Sequence, residues 1–159
     1  MVLAFSMSTF GKTISIAAFC IAATSLHAET IARCGVSKGY SYLPAIGLYP
    51  KETGVFNEGG YSNGSVSLNR LADGTFDLLF RGDIGDESSS ITQGAKVFEM
   101  SHDDKTITIV VVLSGISEVY TFMNTRSGPE VMWTTSEYGT TIFKVGAYNA
   151  KCTYLSLPN

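Results

Sequence analysis

SVSLNRLADGTFDLLFR, residues 65–81, is the stretch of this sequence that decides its fold. Its first half alternates Val66 and Leu68 with polar residues, and its second half places Phe76, Leu78 and Phe80 at every other position. This period of two is typical of β-strands that bury one face. The aspartate-glycine pair between the halves suits a tight turn, because glycine readily adopts positive φ. The stretch therefore predicts a β-hairpin.

The same alternation continues through residues 95–100, 106–113, 119–124, 131–135 and 141–147, with turn residues between the runs. No window of the mature chain has apolar residues at helical spacing. Regularly spaced short strands are typical of sandwiches and up-and-down barrels. We therefore expect an all-β fold, an antiparallel meander of about eight strands that forms a small barrel or sandwich.

Four further expectations concern individual strands. An opening strand is predicted over residues 30–35, and an extra strand over residues 39–43 would shorten an otherwise long loop. Val110 and Val112 make the later half of strand 106–113 apolar on both faces, so we expect that half to be covered on both sides. Trp133 lies on the apolar face of its strand, and we assign it to the core.

Residues 1–28 have the pattern of a cleaved signal peptide. Lys12 supplies a positive charge, residues 13–25 form a short apolar segment, and Ala28 ends a small-residue cleavage site. The apolar segment is shorter than the roughly 20 residues that span a bilayer. We therefore expect residues 29–159 to form a single β-rich domain without a membrane span, located in the periplasm or outside the cell.

Cleavage would remove Cys20 and leave Cys34 and Cys152 near the two ends of the mature chain. In an oxidising compartment, two remaining cysteines most simply form a disulfide. Because a disulfide needs closely spaced Cα atoms, less than about 7 Å apart, the first and last strands should be neighbours. That arrangement is what a closed meander requires.

Charge excludes some classes of partner. The chain has a net charge of −3, and its basic residues are scattered singly, so it lacks the basic stripe that nucleic acids need. With His102 as the remaining histidine and no free thiol expected, a His-rich metal site and Cys/His catalysis are disfavoured. We expect a monomer without a cofactor.

The aromatic residues of segment 36–64 are the main candidates for binding. Tyrosine offers a large, stiff and amphipathic contact area, and loops on a β-scaffold often carry function. The alternative is that these rings cover an open end of the barrel and complete the core. The candidates are Tyr40, Tyr42, Tyr49, Phe56 and Tyr61.

An acidic segment offers a weaker alternative, a calcium site. Asp83, Asp86 and Glu87 could supply hard oxygen ligands, but they lack the spacing of a calcium-binding loop. We interpret the segment as a solvated connection, and no metal is required.

Three short motifs resemble those of small exported bacterial β-rich proteins with one cysteine near each mature end: Cys34-Gly35, residues 74–79 and residues 150–152. This resemblance implies bacterial export and a β-rich fold, and it carries no catalytic residues. The chain is also similar to envelope lysozyme inhibitors in size, cysteine pair and β content. It lacks their Ser-Gly-x-x-Tyr motif.

Three functions follow as hypotheses. The leading one is a secreted or periplasmic, non-catalytic protein that binds a small ligand or an envelope or secreted protein partner. The second is an inhibitor of an envelope-directed hydrolase such as lysozyme. The third is a carboxylate-based hydrolase, for which the sequence singles out no pair of acids.

Overall fold

The computed structural model describes residues 28–44, 54–138 and 143–157. Tyr49 and nearly all of the predicted signal peptide lie outside these ranges. The regular structure of the described residues is all β, as predicted. The strands are β1 (Glu29–Tyr42), β2 (Phe56–Gly59), β3 (Ser65–Arg70), β4 (Phe76–Arg81), β5 (Ser88–Ser89), β6 (Lys96–His102), β7 (Thr106–Leu113), β8 (Ile116–Thr125), β9 (Gly128–Glu137) and β10 (Lys144–Leu155).

The strands form one antiparallel sheet that curves into a half-barrel. Its order is β5-β4-β3-β1-β10-β9-β8-β7-β6, and β2 pairs with the second half of β1. The fold is a meander in which the first and last strands are hydrogen-bonded to each other. The short strands β2 and β5 exceed the predicted number of about eight. The open seam of the sheet therefore lies between β4 and β6, in the middle of the chain.

The predicted hairpin is confirmed as β3 and β4. Gly74 has a φ of 85°, and the amide of Leu71 donates to the carbonyl of Thr75 over 2.7 Å. Asp73 fixes the turn further, because its Oδ1 accepts the amide of Thr75 at 2.9 Å. The alternating apolar side chains point into the core, where Leu68 is fully buried.

The first strand is longer than expected. The predicted strands 30–35 and 39–43 are both parts of β1, so the second is not a separate element. Shifts of register between Arg33 and Ser37 let β1 remain paired with β10 through this irregular region. Beyond it, Gly39 to Tyr42 pair with β2 on the other side.

A disulfide joins the terminal strands. Cys34 and Cys152 lie directly opposite each other in β1 and β10, with their Cα atoms 3.7 Å apart and their sulfurs bonded. The predicted pairing and the predicted adjacency of the first and last strands are both confirmed. A structural disulfide indicates an oxidising compartment.

The segment after β5 bridges part of the seam. The amide of Ser90 donates to the carbonyl of Leu78 on β4 at 2.9 Å. Asp77, which is almost fully buried, accepts the amide of Ile91 at 3.2 Å. These bonds hold the turn over residues 90–94 against β4, next to the start of β6.

The core occupies the concave face of the half-barrel, and Trp133 belongs to it as predicted, with 3% of its surface exposed. We predicted that both faces of the later half of β7 are covered, and this prediction is wrong for the convex face. Val112 is 42% exposed, because no described element packs on the convex face at that point. A central strand in this sheet is buried on its concave face alone.

No helix among the described residues is long and apolar enough to cross a membrane.

Candidate functional site

Three aromatic rings form a floor across the concave face. Tyr120, Trp133 and Tyr148 lie directly opposite one another on β8, β9 and β10. The centroids of Tyr120 and Trp133 are 5.6 Å apart, and those of Trp133 and Tyr148 are 5.3 Å apart, with interplanar angles of 17° and 28°. We call these three residues the aromatic floor. Stacked rings of this kind contribute packing beyond their buried area.

Two glycines make room for the ring of Tyr148. Gly39 is its cross-strand neighbour on β1, and Gly146 precedes it by two residues on β10. A Cβ atom on Gly39 would lie 2.5 Å from Cδ1 of Tyr148, and one on Gly146 would lie 2.6 Å from Cε2. The ring therefore occupies the space that side chains at these positions would fill.

Polar residues follow the aromatic floor towards one end of the half-barrel. Because side chains alternate, the next inward position along β8 and β9 is held by Glu118 and Thr135, which are cross-strand partners. One step further, Glu137 of β9 pairs with Lys144 of β10. A sequence of aromatic, polar and charged positions thus leads from the core to the end of the barrel.

These residues line a pocket of about 190 Å³, which we call the barrel-end pocket. The aromatic floor contributes Trp133 and Tyr148 to it. Its polar lining also includes Tyr61, Ser88, Ser90, Gln93, Glu118, Thr135, Glu137 and Lys144, and its apolar lining includes Leu78, Phe80, Ala95, Val111, Leu113 and Ile116.

Glu118 is the most perturbed acid in the pocket. Burial raises the pKa of its carboxyl group above the ordinary value, although a hydrogen bond from the hydroxyl of Tyr120 to Oε2, 2.8 Å long, acts in the opposite direction. The negative charge of Glu137 raises the pKa further, and the positive charge of Lys144 lowers it. Desolvation therefore outweighs the favourable contacts of the carboxylate.

The hydroxyl of Thr135 is an orphaned polar group. The residue is 4% exposed, and among the described residues its Oγ1 makes no hydrogen bond of acceptable geometry. The hydroxyl faces its cross-strand partner Glu118 and helps to lower the pKa of that carboxyl group. A buried hydroxyl without a partner costs free energy, so a hydroxyl that lines a pocket is well placed to bind a ligand or water.

Glu137 and Lys144 form an ion pair at the rim. Nζ of Lys144 lies 2.7 Å from Oε1 of Glu137, and about four fifths of each side chain is buried. Burial lowers the pKa of Lys144, but the hydrogen bond and charge of Glu137 outweigh it, so the net change is upward. Lys144 is therefore protonated, and its charge is matched by that of Glu137.

Glu118→Gln should make stability less dependent on pH. A raised pKa means that the folded protein holds this proton more tightly than the unfolded chain, whose carboxyl titrates near 4.5. The contribution of Glu118 is then present below that pH and is lost as the pH rises through the raised pKa. We expect the melting temperature of Glu118→Gln, relative to the unchanged chain, to increase over that range. Glu130→Gln, at an acid paired with Lys151 away from the pocket, is the control. A constant difference at all pH values would contradict the prediction.

Tyr61 forms a wall of the pocket and is held firmly in place. Its amide donates to Oγ of the buried Ser37 at 2.9 Å, and its carbonyl accepts the amide of Ser37 at 3.2 Å. The ring packs edge-on against Phe80, with centroids 5.1 Å apart, and lies 6.3 Å from Tyr148. Of the five predicted aromatic binding residues, Tyr61 is the one that the structure places in the barrel-end pocket.

The other described candidates lie on the convex face. Tyr40 is 56% exposed beside a shallow outer groove with Val119 and Met132, and Tyr42 packs against the exposed ring of Phe56 at 5.3 Å. Tyr49 lies outside the described residues. The structure therefore does not bring the aromatic candidates together, since Tyr61 is separated from the outer group by the sheet itself.

The acidic segment has a structural use. Oδ1 of Asp83 accepts the hydroxyl of Ser62 at 3.0 Å and the amide of Asn63 at 2.9 Å, and these bonds lower the pKa of its carboxyl group. Within the described ranges, no three His, Cys, Asp or Glu side chains come together to hold a metal ion. The calcium alternative for Asp83, Asp86 and Glu87 therefore gains no support.

Sequence reasoning missed the polar half of the pocket. One predicted strand began at residue 119 and the next ended at residue 135, so Glu118 and Glu137 lay just outside the predicted strands. The signal was present, because Glu118 has the same parity as the core residues Tyr120 and Phe122. A charged residue on the apolar face of a strand is the pattern that could have found the site.

No family model, curated protein or solved structure matches this chain. Function must therefore be argued from the pocket and its chemistry.

Proposed function

We propose that this protein is a non-catalytic binding protein for a small organic molecule, exported to the periplasm or the cell exterior, with the barrel-end pocket as its binding site. The observation that carries the proposal is the orphaned hydroxyl of Thr135, which lies beside the desolvated Glu118 at a pocket. Buried polar groups normally have partners. A bound molecule would supply them.

The size and lining of the pocket support a ligand of modest size. A volume of about 190 Å³ is below the roughly 300–1,000 Å³ of sites for drug-sized molecules. Apolar walls combined with a few convergent polar groups are typical of small-molecule sites. The aromatic floor is rigid because its rings are stacked, and the ring of Tyr148 packs closely against Gly39 and Gly146. A preformed site of this kind loses little entropy when a ligand binds.

The chain carries its own reporter, because Trp133 is its single tryptophan and lines the pocket. We would screen the mature protein with small amines, carboxylates, alcohols and sugars, and follow the indole signal of Trp133 by NMR. Ser90→Phe places a ring at the pocket lining and should abolish binding. Thr92→Phe, in the same turn but exposed and outside the lining, is the matched control and should bind normally.

Two outcomes would overturn this proposal. The first is that no compound shifts the indole signal. The second is that Ser90→Phe and Thr92→Phe bind equally well, which would place the binding elsewhere. Native mass spectrometry of protein purified from its own host adds a readout, since a ligand retained by Thr92→Phe and lost by Ser90→Phe would identify the natural occupant.

One observation favours a second candidate, the carboxylate-based hydrolase. Glu118 and Glu137 lie on neighbouring strands and line the same pocket, and the raised pKa of Glu118 suits a general acid. Binding remains the better supported function, because Glu137 is already neutralised by Lys144. Hydrolysis of small glycosides that is lost in both Glu118→Gln and Glu137→Gln would establish the second candidate instead.

A further inference from the structure

The charges of the barrel-end pocket do not balance. Among the residues that the structure describes, two carboxyl groups and one ammonium group line it, and the ammonium group of Lys144 is bonded to Glu137 over 2.7 Å. That leaves Glu118, which accepts a hydrogen bond from the hydroxyl of Tyr120 and faces that of Thr135 but has no cation beside it among the described residues except the paired Lys144. An ionised Glu118 thus gives the pocket a net charge of −1 without a matching cation, and a buried charge of this kind is costly.

We infer that the ligand is a small organic cation, a protonated amine whose ammonium group pairs with the carboxylate of Glu118. This inference rests on the proposed binding function and names its ligand class. An ammonium group has donors for both Glu118 and the unpartnered Oγ1 of Thr135, which are cross-strand neighbours. Both groups lie at the same depth, one step above the aromatic floor.

The aromatic residues around the pocket favour the same class. Trp133 and Tyr148 form the base and Tyr61 forms a wall, so an organic cation would have ring carbons to pack against and electron-rich rings near its charge. An anion would meet the opposite conditions. Its natural partner, Lys144, is engaged, and both Glu118 and Glu137 would repel it.

The ionisable groups that face Glu118 set the pH dependence. Among the described residues they are Tyr120 on its own strand, Glu137 on β9, Lys144 on β10 and Tyr61, which precedes β3. Burial raises the pKa of Glu118 above its ordinary value, so this carboxylate takes up a proton as the pH falls. A cation binds to the carboxylate form and therefore displaces the proton of Glu118, which links binding to proton release.

Three probes of matched shape test this inference: benzylamine, benzyl alcohol and benzoate, which differ in charge. We would measure their affinities from the Trp133 indole signal of the mature protein at about pH 8, where benzylamine is still protonated. Benzylamine should bind at least about tenfold more tightly than benzyl alcohol, because charge-assisted hydrogen bonds are stronger than neutral ones. Benzoate should bind most weakly. The preference for benzylamine should shrink as the pH is lowered to about 5.

Glu118→Gln keeps the shape of the side chain and an oxygen that accepts the hydroxyl of Tyr120, so the variant should fold. It should reduce benzylamine affinity at least about tenfold and that of benzyl alcohol by much less, because a neutral hydroxyl gains less from the carboxylate. Glu130→Gln, the same change in an ion pair away from the pocket, should alter neither.

The possible failures are distinct. If benzyl alcohol or benzoate binds as tightly as benzylamine, or if Glu118→Gln retains the preference for benzylamine, the cation assignment is wrong while the binding function stands. If none of the three probes perturbs Trp133, and the wider screen also finds no binder, both proposals fail.

Discussion

Replacing Cys34 and Cys152 together with alanine should lower the free energy of unfolding by about 4–5 kcal/mol. The two residues are 118 positions apart, so the bond closes nearly the whole described chain into a loop. A cross-link of this span restricts the unfolded chain far more than the folded one, because β1 and β10 are paired whether or not the bond is present. The double variant should therefore lose stability mainly because its unfolded state gains conformational entropy.

Urea unfolding measures this effect directly. The double variant should unfold at a much lower urea concentration than the oxidised protein, and its m-value should be larger, since its unfolded state exposes more surface. Adding a reductant should bring the unchanged protein close to the variant and leave the variant as it was. A loss below about 1 kcal/mol would mean that the unfolded chain is already compact around the two cysteines.

Gly39→Ala should destabilise the fold by about 3 kcal/mol, at the upper end of what overpacking usually costs. A Cβ at this position would lie 2.2 Å from the carbonyl oxygen of Ala147 and 2.5 Å from Cδ1 of Tyr148. The first neighbour is backbone of the paired strand and cannot move without breaking the β1–β10 ladder. The second is part of the aromatic floor, so binding in the barrel-end pocket should weaken as well.

Gly35→Ala is the matched control. It lies on the same strand four residues earlier, and its Cβ would meet nothing within 4 Å. We expect a change within about 0.5 kcal/mol, as for ordinary surface substitutions. Thermal or urea unfolding of the two variants in parallel gives the answer. If both variants lose similar amounts of stability, the effect comes from replacing any glycine of β1, and the crowding beside Tyr148 is not its cause.

Local patterns in the sequence were enough to predict the fold. The hairpin of β3 and β4 carries its strands and its turn within 17 residues, and the cysteine pair specified that the first and last strands of the chain are neighbours. The length of β1 was harder to predict, because the shifts of register between Arg33 and Ser37 interrupt its alternation. Pairing with β10 and β2, which no local pattern shows, maintains the strand there.

The candidate site was predicted in part. Tyr61 was recognised by its chemistry, but its separation from Tyr40 and Tyr42 depends on contacts with Ser37, 24 residues away. Glu118 and Glu137 were missed because charged residues just beyond predicted strand ends suggest exposure. Lys144 was missed because a single lysine within a predicted strand is normally an exposed residue. Burial of these residues arises only when β8, β9 and β10 come together and curve around the aromatic floor.

The pairing of the first strand with the last also sets an order of events. β1 lies near the middle of the sheet, between β3 and β10, so one edge of β1 stays unpaired until β10 is in place. Contacts between such distant parts of a chain form late. The sheet therefore cannot be completed until β10 is available to pair with β1. For the exported protein that we propose, β1 and β10 would pair only after both strands have crossed the membrane.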